Sequence, residues 1–370
     1  MSDTTVPDEH HTIEDTGYRF PATRAFVEHA LRRGWHRHIQ VYVSRQGLPQ
    51  LDLALATEDP NFGPGSMFPL LCVAKPLLAF AVVQACDRTG TELATPLADI
   101  AKHLDPQVHG ARILDVLTHQ MGVGHLPWSD AWLRRSWASC IEEACRVGSE
   151  DAAAKPAEFA CYQEVRFWFI LAELLSQLTH VSAPEALHEG TRDLLGRGAA
   201  GLSSEFAFGA KGNGSSEGAG SSGVAIDIRG PGCRGEDIQA GWRGGMTSFG
   251  SARAVAETMR GLQEQEPLVC NHRALSRRWR QGTYDEYFRC VRDWGLGVMI
   301  ESRRWGSEST VFCPEASDSA FGHTARNSVA TLVDPALGLA VGLAADGVLN
   351  DLANRFFVRG VLRAVYKDLG

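Results

Sequence analysis

The chain has 370 residues, 44% of them hydrophobic and 22% charged, with a formal net charge of -8, so it is long enough to bury a sizeable core with a cleft. An acidic chain does not neutralise phosphates along a duplex, which excludes nucleic acid as an expected partner, and no apolar run is long enough to span a bilayer. Nine cysteines without C-x-x-C spacing argue against a zinc centre or a disulfide framework, so no metal and no cofactor are expected and the cysteines read as small hydrophobes in a reducing setting.

Residues 1–17 read as a loose tail, and their polar, acidic start lacks the basic and apolar regions of a secretory signal, which predicts a cytoplasmic protein. Residues 20–33 carry apolar positions at Phe26, Val27, Ala30 and Leu31, the spacing of a helix. Residues 38–45 alternate, with Ile39, Val41 and Val43 on one face; Gln46-Gly47-Leu48-Pro49 is a turn, and 50–55 alternate again, so a hairpin begins a sheet. A Gly/Pro loop at 61–66 leads into a helix over about 71–89, closed by Gly90. Residues 113–119 predict a short helix, 127–150 a helical stretch rich in Trp and Arg, and 167–178 a strongly apolar helix. Residues 201–224, rich in Gly and Ser, predict a mobile loop. A helix over 252–262 follows, then strands at 298–302, 328–333 and 339–344, and a last helix over 350–366. Arg277, Arg278 and Arg280 read as a solvated basic face.

Strands at both ends and helices between them predict an α+β fold: one antiparallel sheet flanked by helices. The expected layout is a single domain over 18–370, with a helical subdomain at about 90–250 inserted between the two ends.

The chemistry centres on Cys72-Val73-Ala74-Lys75. A nucleophile at a helix start sits near aligned N–H groups that favour its anion, and a lysine three residues on returns to the same side. Its ammonium lowers a thiol pKa, or its neutral amine takes the proton. Taken alone, the pair also fits a buried Cys and a surface Lys on a core helix. Three further segments bear on the choice: Val116-Leu117-Thr118-His119-Gln120-Met121-Gly122-Val123, Tyr162-Gln163-Glu164 and His323-Thr324-Ala325.

In this order the four segments resemble the serine β-lactamase and penicillin-binding-protein superfamily, in the branch of class C β-lactamases with their esterase and acyltransferase relatives. Cys72 to Lys75 stands where that family has S-x-x-K, with cysteine for serine; Tyr162 to Glu164 stands for Y-x-N; His323 to Ala325 stands for K-T-G or H-x-G. The resemblance implies a β-lactamase/transpeptidase-like fold in which Cys72 attacks an acyl carbonyl. Tyr162 and Lys75 share the proton across a short hydrogen bond. The backbone N–H groups of Cys72 and Arg326 hold the oxyanion, and His323 lines the cleft opposite the nucleophile. Glu164, Thr324 and Ala325 face substrate, with Glu164 able to pair with Lys75. His119 reads as a structural histidine. Glu164 for asparagine and Ala325 for glycine depart from the pattern and count against β-lactam hydrolysis.

A cysteine gives a thioester, which reacts more readily with amines than with water. The expected function is therefore transfer of an acyl group from an ester or thioester donor to an amine or alcohol acceptor, without ATP, in small-molecule or antibiotic metabolism. The alternatives are an esterase or amide hydrolase on the same fold and an inactive binding homologue.

Overall fold

A computed structural model of the chain describes residues 20–104, 110–129, 131–146, 155–158, 160–196, 199–209, 242–245, 247–264, 275–347 and 349–370. The expected N-terminal tail, residues 210–224 of the expected loop and residues 147–150 of the expected helical stretch lie outside them.

The strands are β1 (His38–Arg45), β2 (Leu48–Ala56), β3 (Phe68–Pro69), β4 (Phe206–Phe208), β5 (Ser248–Gly250), β6 (Arg280–Asp285), β7 (Cys290–Trp294), β8 (Met299–Ile300), β9 (Phe321–Thr324), β10 (Ala330–Asp334) and β11 (Leu339–Ala345). Eight of them form one sheet in the order β2-β1-β11-β10-β9-β8-β7-β6, and all its pairings are antiparallel. Strands from the two ends of the chain meet at β1 and β11, with Val41 opposite Leu343. The β1–β2 turn places Gln46 and Gly47 at φ 52 and 75, the left-handed pair that matches strand twist in a tight hairpin. A small sheet, β3-β5-β4, lies apart from the large one.

The helices are α1 (Pro21–Arg32), α2 (Lys75–Thr89), α3 (Leu97–Ile100), α4 (Ile113–Leu117), α5 (Ala131–Arg134), α6 (Trp137–Cys145), α7 (Val165–Thr179), α8 (Ala183–Leu195), α9 (Ala252–Glu264) and α10 (Asp351–Leu369). Every residue of β11 is buried, so both faces of the sheet are covered. Helix α9 packs on β1, β10 and β11, and Tyr42 of β1 donates to the Glu257 carboxylate of α9. Helices α1 and α10 pack together, with Asp368 accepting the N–H groups of Ala22 and Thr23, and Tyr366 fixes α10 to the sheet by donating to Asp334 at 2.6 Å. The architecture is thus an antiparallel sheet flanked by helices.

Four sequence expectations change. The helix expected from residue 71 is a 3-10 turn, Leu71–Ala74, that continues as α2. His323-Thr324, where no strand is expected, lies within one, β9, just ahead of the expected strand that ends at Asp334, β10. Residues 200–208 form a 3-10 turn and β4 in place of the start of a loop. Arg280 is not on a solvated face: it is buried, pairs with Asp285 at 2.7 Å and donates to the carbonyls of Thr118 and His119. Among the described residues no helix is long and apolar enough to cross a membrane.

Candidate active site

Cys72 sits on the turn between β3 and α2, and the local backbone is strained there. Leu71, just before it, has φ 43, a left-handed conformation that a leucine seldom adopts. The strain is held from outside. Leu71 N–H donates to Gly245 O at 3.0 Å, and Leu70 N–H to Ser248 O at 2.8 Å. A Cβ at position 245 would lie 2.0 Å from Leu71 O, so only glycine permits this approach. In a 3-10 turn, side chains three apart eclipse, which brings Lys75 over Cys72.

Lys75 is completely buried. Its ammonium donates to the Glu164 carbonyl at 2.9 Å and lies 4.4 Å from the ring centre of Trp168, 5.0 Å from Phe167 and 5.2 Å from Tyr162. One carbonyl and three π faces replace only part of its hydration, so burial lowers its pKa to about 8, against the raising effects of Cys72 and Glu164. Burial likewise pushes the Cys72 thiol up from 9.0, and the charge on Lys75 pulls it back.

Tyr162 is fixed by both of its backbone groups. Its N–H donates to Asp285 at 3.1 Å, and its carbonyl lies 2.9 Å from His125 Nδ1. Its hydroxyl faces Cys72 closely enough for each to shift the other's ionisation, yet among the described residues it completes no well-angled hydrogen bond. The expected short bond between Tyr162 and Lys75 is therefore not formed; the lysine sits over the ring and bonds to a carbonyl.

Glu164 and His323 also depart from expectation. The Glu164 carboxylate pairs with the Arg326 guanidinium, and only its backbone carbonyl holds Lys75. His323 does not line the cleft: it is completely buried, with Nδ1 2.9 Å from Thr324 O and no partner for Nε2 among the described residues. Its ring centre lies 6.1 Å from that of Tyr162. Burial, then the charge on Lys75, brings its pKa down to about 3, so the imidazole is neutral. The physical reason is the alternation of β9, which turns His323 inward and Thr324 to the cavity, where Ala325 and Arg326 join it beyond the strand's end. His119 accepts from Gln163 N–H at 3.1 Å and lies against Trp294, a structural placement.

The N–H groups of Cys72 and Arg326 donate to no backbone carbonyl among the described residues. The turn that carries Arg326 is tied to the segment that leads into Cys72, because Asn327 donates its side-chain amide to Pro69 O at 2.8 Å. Asn354 of α10 braces it from behind by donating to Ala325 O at 2.9 Å. Cys72, Tyr162 and Glu164 open with these residues onto a cavity of about 310 Å³, whose far wall carries Tyr287, Arg292, Arg355 and Arg359. None of those four residues, nor Asn327 and Asn354, stands out in the sequence, since each lies outside a short motif. All seven described cysteines are buried.

Comparison with known proteins places the fold. The chain aligns over 94% of its length with the structure of a novel penicillin-binding protein homologue from Caulobacter crescentus, covering 97% of that chain at TM-score 0.70 and 16% identity. It aligns over 94% of its length with EstCE1, a hydrolase with promiscuous acyltransferase activity, covering 98% of that chain at TM-score 0.71 and 15% identity. It aligns over 93% with a family VIII carboxylesterase, covering 97% of that chain at TM-score 0.66 and 16% identity. No curated protein sequence matches it. At these identities the structures show a shared fold, and the sequence evidence comes from the family described as Beta-lactamase, whose model matches residues 23–356. The chain belongs to that Beta-lactamase family.

Proposed function

We propose that the protein is an acyltransferase in which Cys72 carries the acyl group as a thioester and passes it to an amine or alcohol acceptor. The observation that carries this reading is the fully buried Lys75, with its pKa lowered to about 8, one helical turn from a cysteine that faces the Tyr162 hydroxyl, itself without a hydrogen-bond partner among the described residues. A decayed site has no use for a buried, weakly solvated ammonium, which costs several kcal/mol to keep.

In the proposed sequence the Cys72 sulfur bonds to the acyl carbon of an ester or thioester. Its proton passes by way of the Tyr162 hydroxyl to the neutral Lys75 amine, along a Tyr162–Lys75 hydrogen bond that is open in the free protein and closes when the acyl group binds. The carbonyl oxygen becomes an oxyanion held by the N–H groups of Cys72 and Arg326. Collapse breaks the bond to the leaving alcohol or thiol, which takes the proton back. The acceptor then attacks the thioester, its proton follows the same route, and the thiol is restored. Neutral His323 maintains the electrostatic setting of Lys75 without adding charge. Thr324 and Ala325 line the space the acyl group fills.

Hydrolysis is the second reading, favoured by the fold shared with the carboxylesterase and with EstCE1. Intact-protein mass spectrometry with activated esters separates the two. An adduct on Cys72 that persists in water and is discharged by an added amine supports transfer; discharge at the same rate without acceptor supports hydrolysis. No adduct with any ester overturns both.

A further inference from the structure

Although the chain as a whole is acidic, the cavity beside Cys72 is lined by four arginines and two carboxylates. Arg326 is already taken by Glu164. Arg292 of β7 and Arg355 and Arg359 of α10 are not, and among the described residues none of the three has a carboxylate within ion-pair distance.

Their hydrogen bonds are sparse for groups with five N–H donors each. Arg292, 5% exposed, donates from Nη1 to Ser309 O at 3.0 Å, and Arg359 donates from Nη2 to Thr310 O. The Nε atoms of both are buried and unpartnered among the described residues. Glu301 is the acid whose charge both feel, but its oxygens already accept the N–H groups of Ser302, Arg303, Val311 and Phe312. Asp351, the remaining acid on the lining, is exposed at the start of α10. Burial and mutual repulsion within the trio disfavour the charged form of Arg292 and Arg359. Guanidinium groups do not lose their protons near neutrality, so these charges persist and await an anion.

We propose that Arg292, Arg355 and Arg359 form a binding site for a phosphate-type dianion on the acyl donor, which seats the donor's reactive carbonyl against Cys72. The proposal rests on the acyl-transfer reading above for what happens at Cys72, but not for the anion site itself. A carboxylate occupies one guanidinium fork and leaves the other two charges opposed. A phosphate or phosphonate brings three acceptor oxygens and close to two charges, which suits three donors converging on one cavity. The volume of about 310 Å³ admits such a group together with a short acyl chain.

The test uses the full chain and two readouts. In the first, Cys72 is labelled by three activated esters of equal length whose acyl chains end in a methyl, a carboxylate or a phosphonate group. The phosphonate ester is expected to react at least about ten-fold faster than the methyl ester and clearly faster than the carboxylate ester. That advantage is expected to vanish in Arg355→Glu, whose exposed position spares the fold. In the second, inorganic phosphate is titrated calorimetrically into Cys72→Ala, and binding is expected to be lost when Arg355→Glu is added. Arg292→Met is expected to weaken phosphate at least about ten-fold; should it fail to fold, Arg355→Glu decides alone. Equal labelling by all three esters together with no phosphate binding overturns the anion site and leaves acyl transfer standing. Faster labelling by the carboxylate ester overturns the dianion. Phosphate binding that depends on Arg355, with no labelling of Cys72 by any ester, supports the anion site and overturns the acyl-transfer reading instead.

Discussion

At Lys75, one buried cation is held by a carbonyl and three aromatic rings; across the cavity onto which Cys72 opens, Arg292 and Arg359 are held by one carbonyl each, with Arg355 beside them. Both regions pay the desolvation cost of burying positive charge, and they differ in what the side chain can do about it. An ammonium can give up its proton, so burial moves Lys75 to about 8, where it exchanges a proton near neutrality. A guanidinium cannot, so burial leaves a fixed charge in search of a counter-ion. On the proposed reading the difference divides labour: a proton switch beside Cys72, and a fixed electrostatic grip for whatever is delivered to it.

The proton-switch side breaks first if Cys72 is not the nucleophile. Cys72→Ala is expected to abolish the acyl adduct and lower turnover by about 10³-fold or more, read by intact mass and steady-state rates. Cys72→Ser is expected to retain an adduct, now an ester, and to move the product ratio toward hydrolysis. Next comes Lys75→Met. Acylation is expected to fall by about 10²–10⁴-fold with the thermal midpoint unchanged or raised, because a buried charge is removed and the apolar stem is replaced. The pH profile gives the sign. With the neutral amine as the proposed base, acylation in the unmodified protein is expected to rise with pH through about 8. In Lys75→Met that step disappears, and only the rise that follows the thiol, above its ordinary 9.0, remains. Tyr162→Phe is expected to cost about 10²-fold in acylation while stabilising the fold by about 1 kcal/mol. The stacked contacts with Trp294 stay, and an unpartnered buried hydroxyl goes.

The two regions also differ in how far the sequence discloses them. The β1–β2 hairpin, α7, α9 and α10 are readable because their apolar periodicity and turn or cap residues agree; Asn350, for instance, accepts from Ala353 N–H as the α10 cap. Cys72, Lys75 and Tyr162 are readable as a constellation, since local spacing and order carry them. Strands β6 and β7 are not, because they bury charge. Asp293 is completely buried inside β7, held by Arg278 and Arg304, and Arg280 is buried against Asp285. Those ion pairs form by folding, and in sequence Arg278 and Arg280 read as a solvated basic face. His323 is expected on the cleft from its match to a family motif, and strand β9, at four residues, is too short for its alternation to show in the sequence that the side chain lies within the core. The arginine cluster joins β7 to α10, far apart in the chain, and nothing local marks it.

The smallest expected effect falls where the two regions touch. Glu164 offers its carbonyl to Lys75 and its carboxylate to Arg326, so it faces the switch with its backbone and the fixed charges with its side chain. Glu164→Gln keeps the carbonyl and the shape and removes only the negative charge. Because the Arg326 side chain is 46% exposed, solvent screens the pair, and stability is expected to change by no more than about 1 kcal/mol. The carboxylate raises the pKa of Lys75, so its loss is expected to shift the midpoint of the pH–rate profile downward from about 8 and change acylation at neutral pH only a few-fold. Freeing Arg326 adds one more unpaired guanidinium to the cavity, so phosphate binding to Glu164→Gln is expected to tighten while the relay still works. A change of 10²-fold or more in acylation with the midpoint fixed would mean that the carboxylate itself takes the proton, and the division between switch and grip would have to be redrawn through Glu164.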